Sequence, residues 1–257
     1  MSETVLITGI TGGFGFEFAK IFAQNGYNIV GVARNGQRLK TLCENLSKEY
    51  GIQTDYFACD FNNEDAEEGL FAYTESEGIQ VDILVNNAGF GDYGPFSRCH
   101  LEKQVNMIDV NVVALTKLTY YYLKGMIERK HGKILNVASI ASFMPGAGMS
   151  VYYATKAYVL SFSEALHEEL QGTGVTVCAL CPGPTDTGFA RAADIYSGRL
   201  SDVFKAGNPY KVARKGYKAL MNGKAIEIPG IWNKTGVIAA KIFPRPVVRK
   251  MVKKFQG

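Results

Sequence analysis

The stretch from Ser150 to Tyr158, SVYYATKAY, sets two tyrosines side by side with a lysine close behind both. A free phenol titrates near about 10, too high to release and regain a proton easily at neutral pH. A cation beside it favours the phenolate and lowers that value, so a tyrosine and a lysine on one helix face make a proton donor and acceptor. Lys156 follows Tyr152 by four residues and Tyr153 by three. Four apart puts two side chains on one face, one turn away; three apart also brings them near, at a different rotation. The spacing favours Tyr152 and leaves Tyr153 open.

A second chemical run is TGITGGFG, Thr8 to Gly15, which contains Gly9, Thr11, Gly12, Gly13, Phe14 and Gly15. Glycines between a strand and a helix permit a tight turn and close backbone approach to a pyrophosphate, whose charge the helix N-terminus favours. The pair Cys178 and Cys181 is of another kind. It lies inside the apolar run VTVCALCP, where positions three apart face opposite sides of a sheet. Neither the other cysteines (Cys43, Cys59, Cys99) nor His100, His131 and His167 supply a matching second pair of ligands, so no metal site is expected. Reduced thiols in a cytoplasmic protein are the expectation.

The elements that must position these residues alternate along the chain. Strands are expected at 4–8, 28–33, 54–59, 82–87, 133–138, 175–181 and 225–228, from β-branched and aliphatic runs. Helices are expected at about 14–25, 36–50, 63–77, 101–129, 152–171 and 209–222, from apolar spacing near 3.6. Several strands are apolar throughout, as when helices cover both faces. The pattern predicts an α/β fold, a Rossmann-type doubly wound three-layer α/β/α sandwich with a seven-stranded, mainly parallel sheet. Ligands of such sheets bind beyond the carboxyl ends of the strands, where the strand order reverses. The motifs above sit at strand ends.

With 257 residues, 47% apolar and 20% charged, the chain reads as one domain spanning 1–257. It has no run long and apolar enough to span a membrane and no visible secretory signal. Its net charge of +4 is uneven, because no acid follows Glu227 while Lys234, Lys241, Arg245, Arg249, Lys250, Lys253 and Lys254 contribute +7. The preceding chain therefore stands at −3, which does not describe a nucleic-acid surface.

Taken together, Thr8-Gly9, Gly13 and Gly15, then Asn86-Asn87-Ala88-Gly89, Asn111 in DVNVVA, Ser139, Tyr152, Lys156, Pro182-Gly183 and Thr187 resemble the short-chain dehydrogenase/reductase family, in order over about residues 4 to 190. The resemblance settles the tyrosine. It implies that Tyr152 is the proton donor to a carbonyl, or the base in alcohol oxidation, with Lys156 lowering its pKa and holding the nicotinamide ribose. Ser139, thirteen residues before Tyr152, would orient the substrate oxygen, and Asn111 would keep a water of the proton relay. Ser142 competes with Ser139 but breaks that spacing. Tyr153 is left to packing.

The resemblance also implies a nicotinamide cofactor. Its phosphates would meet the glycine turn, its adenine the pair Asp60 and Phe61, and its adenosine ribose Asn87, Ala88 and Gly89. The segment Pro182, Gly183, Thr185 and Thr187 would meet the carboxamide end. At the end of the second strand the family places an acid where NAD is bound; here stand Ala33 and then Arg34. A guanidinium grips a phosphate with a planar fork of donors, so NADP(H) is expected, with Asn35 and Arg38 as helpers.

Phe90, Tyr93, Phe143, Met144 and Met149 are expected to wall the substrate pocket, with a lid at about 188–208 carrying Phe189, Ile195, Tyr196, Val203 and Phe204. Arg191 and Arg199 in that segment are candidate anion contacts. Apolar walls suggest a bulky hydrophobic ketone or alcohol, such as a hydroxysteroid, a bile acid or a 3-oxoacyl chain. The basic extension at 234–257, broken by Pro244 and Pro246, is expected to form a solvated, packed C-terminal helix, with peripheral membrane association as the alternative. A homodimer or homotetramer is expected from relatives, pairing through the helices at 101–129 and 152–171. The competing reading is a non-catalytic NADP(H)-binding sensor or scaffold on the same fold.

Overall fold

The computed structural model describes residues 2–193 and 207–256. Seven apolar runs form the strands β1 Thr4–Thr8, β2 Asn28–Ala33, β3 Thr54–Ala58, β4 Ile83–Asn86, β5 Gly132–Val137, β6 Val175–Leu180 and β7 Ile226–Glu227. They lie in one sheet in the order β3-β2-β1-β4-β5-β6-β7. The sequence predicted a mainly parallel sheet, and every pairing in it is parallel. The order reverses between β1 and β4, which are neighbours in register through Ile7 and Val85. Their carboxyl ends open the crevice where ligands of such sheets bind.

The helices are α1 Gly13–Gln24, α2 Gly36–Tyr50, α3 Ala66–Ser76, α4 Leu101–Ile108, α5 Leu115–Glu128, α6 Ser150–Glu169, α7 Phe189–Ala192, α8 Pro209–Met221, α9 Ile231–Ile242 and α10 Arg245–Gln256. Alternation along the central strand divides the core. Val5 and Ile7 face Phe18, Phe22, Leu39 and Leu220 of α1, α2 and α8. Leu6 faces the opposite way, toward Leu70, Leu118 and Met126 of α3 and α5. Side chains one apart on a strand point to opposite faces, so a strand covered on both sides must be apolar throughout. The cysteine pair obeys the same rule: Cys178 belongs to the first of these layers, and Cys181 packs with Val159 and Leu160 of α6.

Two expectations about elements change. The helix predicted across 101–129 contains a wider π turn, Asp109–Ala114, between α4 and α5. Asn111 sits in that turn with its side chain bonded to the main chain of Phe90, a contact to another part of the chain that apolar spacing does not register. The C-terminal extension, expected as one packed helix, forms two. Pro244 ends up between them, and Pro246 falls in the first turn of α10, where a missing N–H costs nothing. Of the expected lid, α7 and Gly207 are described; Ile195, Tyr196, Arg199, Val203 and Phe204 lie outside the described residues.

Candidate active site

At the end of β1 the chain turns sharply into α1. Gly9 and Gly13 have φ of +67° and +53°, the left-handed region that favours glycine. A Cβ at Gly15 would strike the carbonyl oxygen of Gly9, and one at Gly13 would lie 3.0 Å from the Cβ of Thr187. The glycines thus let the turn fold on itself and let the Thr185–Thr187 segment approach it. Gly12 differs, because a Cβ there meets nothing within 4 Å. Open space therefore stands before the N-terminus of α1, which has no capping side chain and no acid in its first turn. An anion is favoured at such an end.

Thr8 holds this turn to β4. Its Oγ1 accepts from the main-chain N–H of Asn87 (3.0 Å) and of Ala88 (2.9 Å). Asn87 returns the link, donating both amide hydrogens, to the carbonyls of Thr8 and Gly9. Its carboxamide is therefore a fixture of the turn, and the ribose contact expected of it falls to the remaining oxygen and the main chain. Phe14 packs its ring against the core. Thr11 is partly buried in the same turn.

At the ends of β2 and β3, Arg34 is exposed, with Nη1 3.9 Å from Asp60 Oδ2. An exposed pair at that distance contributes little, and the guanidinium remains available to a phosphate. Asn35 caps α2, its Oδ1 accepting from the N–H of Arg38 at 2.9 Å. The Arg38 side chain is exposed in the first turn of that helix. Asp60 Oδ1 accepts from the main-chain N–H and the side-chain amide of Asn62. Phe61 is buried in the core, leaving only its main chain to a ligand.

The reacting end is built by β5 and α6. Ser139 follows β5 and begins the 3-10 turn Ile140–Phe143, its Oγ accepting from the N–H of Ala141 at 3.1 Å. Ser142 instead donates to the carbonyl of Lys156 at 2.7 Å, which ties the turn to α6. Lys156 is buried, and its Nζ donates to the Val137 carbonyl at 2.8 Å, 5.9 Å from the centre of the Tyr152 ring. Tyr152 lies between the rings of Phe189 (5.2 Å) and Tyr153 (6.1 Å). Tyr153 covers Gly146, where a Cβ would strike its ring.

The electrostatics differ from the expectation in one respect. Desolvation raises the Tyr152 pKa above the ordinary phenol value, and it is the hydrogen bond with Ser139, not Lys156, that pulls it down. Lys156 is itself lowered to about 8, because burial disfavours its charge. Among protein groups alone the pair sits with proton affinities far apart. Negative charge arriving beside Lys156 favours its ammonium and, through it, the phenolate.

Asn111 is fully engaged by protein. Its Nδ2 donates to the Phe90 carbonyl (2.9 Å) and to Thr155 Oγ1 (3.1 Å), and its Oδ1 accepts from the N–H of Phe90 (3.0 Å). Thr155 Oγ1 in turn donates to the Tyr152 carbonyl at 2.7 Å. Both amide hydrogens of Asn111 are thus committed to the frame. Thr155 was not singled out in the sequence, although it is one of the residues between Tyr152 and Lys156. Gly89 lies at the junction, where a Cβ would meet Asn111 Oδ1 at 2.9 Å and Lys156 Nζ at 3.5 Å. At the end of β6, Pro182 accepts from the N–H of Ile140, and Thr185 Oγ1 donates to the Gly183 carbonyl. The N–H of Thr187 donates to the Thr185 carbonyl, closing this segment over the glycine turn.

Around Tyr152 the described walls are apolar. Gly91 is pressed between Phe189 and Met149, and Tyr93 covers Gly148. Phe143 and Met144 are half-buried, and Lys241 Nζ lies over the Phe143 ring at 5.2 Å. Among the described residues no cluster of histidine, cysteine and acid has the makings of a metal site. None of the described helices is long and apolar enough to cross a membrane.

The sequence pattern of the family described as short chain dehydrogenase matches residues 3–195. The chain belongs to that family. It is 35% identical over 212 residues to serine 3-dehydrogenase of Agrobacterium fabrum, covering 81% of this chain and 83% of that one. It is 39% identical over 180 residues to the NADP-dependent 3-hydroxy acid dehydrogenase YdfG of Escherichia coli strain K12, covering 70% and 71%. A solved 7β-hydroxysteroid dehydrogenase superposes with a TM-score of 0.87 at 28% identity, covering 97% of this chain and 96% of that one. This short chain dehydrogenase thus has the oxidoreductase scaffold complete from the glycine turn to Thr187.

Proposed function

We propose that this short chain dehydrogenase interconverts a ketone and a secondary alcohol with NADP(H), on a bulky, apolar substrate. The observation that carries the reading is the convergence of Ser139, Tyr152 and Lys156 at the ends of β5 and α6, within apolar walls. NADP(H), when bound, supplies or accepts the hydride. The N-terminus of α1 and the space before Gly12 fit its pyrophosphate, and Arg34 fits its 2′-phosphate.

The chain itself handles the proton. Ser139 and the Tyr152 hydroxyl hold the substrate oxygen, and Tyr152 donates the proton as negative charge develops there. The Lys156 ammonium stabilises the phenolate left behind and binds the nicotinamide ribose. Asn111 and Thr155 hold α6 and the Gly89–Phe90 loop in register around this pair.

Phe143, Met149 and Phe189 support an apolar ligand, and the hydroxysteroid relative accords with one. A second reading, a short hydroxy acid, follows the names of two enzymes alike in sequence. Its carboxylate needs a cation, and Arg191 beside Phe189 and Lys241 over Phe143 are available. A spectrophotometric screen distinguishes them: hydroxysteroids and 3-oxoacyl esters against serine and 3-hydroxybutyrate, each with NADP(H) and NAD(H). Turnover of the bulky substrates at higher kcat/KM with NADPH is the expected result. A preference for serine or 3-hydroxybutyrate transfers the assignment to the second reading. A preference for NADH, or an Arg34→Asp variant that keeps its NADPH affinity, removes the cofactor assignment.

A further inference from the structure

The last two helices hold a surface that the reaction does not use. Ile231, Ile238 and Ile242 of α9 recur at intervals of seven and four, so they share one stripe along the helix. They are 68%, 55% and 75% exposed, and Trp232 beside them is 79% exposed. The other side of α9 faces the protein: Val237 is buried, and Asn233 sits where a Cβ on Gly183 would collide with it. In α10, Val248 and Val252 turn inward, while Arg249, Lys250, Lys253 and Lys254 are exposed. Val247 and Met251 are partly uncovered at the margin of that helix.

We propose that α9 and α10 form a docking surface for an anionic lipid bilayer, with the isoleucine stripe and Trp232 entering the headgroup region and the basic side chains meeting the lipid charge. Two independent features select this occupant. Residues 228–257 hold seven cations and no acid, so the surface attracts a polyanion. Large apolar side chains of α9 stand in solvent on the helix that also carries Lys234 and Lys241, which an amphipathic interfacial helix needs and a purely electrostatic contact does not. Nucleic acid would neutralise the charges and leave the isoleucines and Trp232 in water. A second copy of this chain, docking by two-fold symmetry, would set the same cations against one another.

The surface lies beside the pocket. α9 packs against the turn Ile140–Phe143 that follows Ser139, and Lys241 of α9 covers the Phe143 ring. A bilayer held by α9 would therefore stand next to one wall of the candidate substrate site. This consequence, unlike the docking itself, rests on the apolar-substrate reading.

The test is co-sedimentation of the full-length protein with vesicles of phosphatidylcholine alone and of phosphatidylcholine containing about 30% phosphatidylglycerol, at low and high salt. Binding is expected to the anionic vesicles only, weakened by salt. Ile238→Asp/Ile242→Asp, both at exposed positions, is expected to reduce partition roughly tenfold or more while thermal stability and turnover of a water-soluble ketone stay unchanged. Lys253→Glu/Lys254→Glu is expected to weaken binding through charge alone. Absence of binding to either vesicle overturns the proposal, as does binding indifferent to the isoleucine change. Loss of self-association in the isoleucine variant, measured by sedimentation velocity without lipid, identifies the face as a contact between copies and overturns it too. Turnover in solution is read separately, so failure of the docking proposal leaves the reaction assignment standing and the reverse holds.

Discussion

At the scale of single residues, the two tyrosines of the SVYYATKAY run part company through their surroundings. Ser139 lowers the proton affinity of Tyr152, which lies near Lys156, whereas Tyr153 covers Gly146. Tyr152→Phe keeps the ring and its packing on Phe189 and removes the hydroxyl with its proton. It is expected to lower kcat by on the order of a thousandfold with NADPH affinity little changed, whereas Tyr153→Phe costs less than about threefold. Steady-state kinetics and NADPH fluorescence titration check both; equal losses would remove the distinction. Lys156 gives a pH prediction. Its folded-state pKa of about 8 lies below the ordinary 10.5, so between those values the unfolded chain binds more protons and folding stability rises with pH. Relative to Lys156→Met, the protein without added cofactor should gain stability across that window, at most roughly 3 kcal/mol. Denaturant titrations at a series of pH values measure it. A difference that stays flat with pH means that Lys156 is not held desolvated.

At the scale of elements, the reacting residues depend on contacts between segments distant in sequence. Asn111 in the π turn bonds the Phe90 loop on one side and Thr155 of α6 on the other. Turns of this wider kind often occur at functional sites. Thr155→Val keeps the shape of the side chain and removes the hydroxyl that accepts from Asn111 and donates to the Tyr152 carbonyl. A buried Asn111 donor left unpaired costs about 1–3 kcal/mol. The expected result is a lower melting temperature and a kcat reduced roughly tenfold, with KM for NADPH unchanged. Thr155→Ser should restore kcat. An unaltered kcat in the valine variant would mean that the clamp supports the fold and not the position of Tyr152.

At the scale of the whole molecule, exposed apolar side chains gather on α4, α5 and α6, outside the active-site crevice. Leu101, Tyr120 and Val105 are 72%, 76% and 46% exposed, and Tyr158 of α6 joins α5 through Thr116. Burial of such a face favours association of copies of the chain. Sedimentation velocity should show a particle of two or four chains, and Leu101→Asp/Val105→Asp should shift it toward the single chain. A wild-type monomer at micromolar concentration would leave these residues without that role.

The sequence by itself determined the layered architecture, and it supplied the candidate reacting residues through spacing and family resemblance. Strands covered on both faces must be apolar along their length, and helices covered on one face must repeat near 3.6, so the alternation of elements is written locally. The glycine turn and the lysine one helical turn beyond Tyr152 are likewise local, because each is a matter of spacing within a single segment. Only the tertiary structure decided what lies between segments. It bonded Ser142 to the Lys156 carbonyl, and it drew Asn111 and Thr155 into one clamp. It also turned the three isoleucines of α9 outward beside the pocket wall. Hydrogen bonds and burial between residues far apart in the chain leave no periodicity to read, so they emerge only once the elements pack.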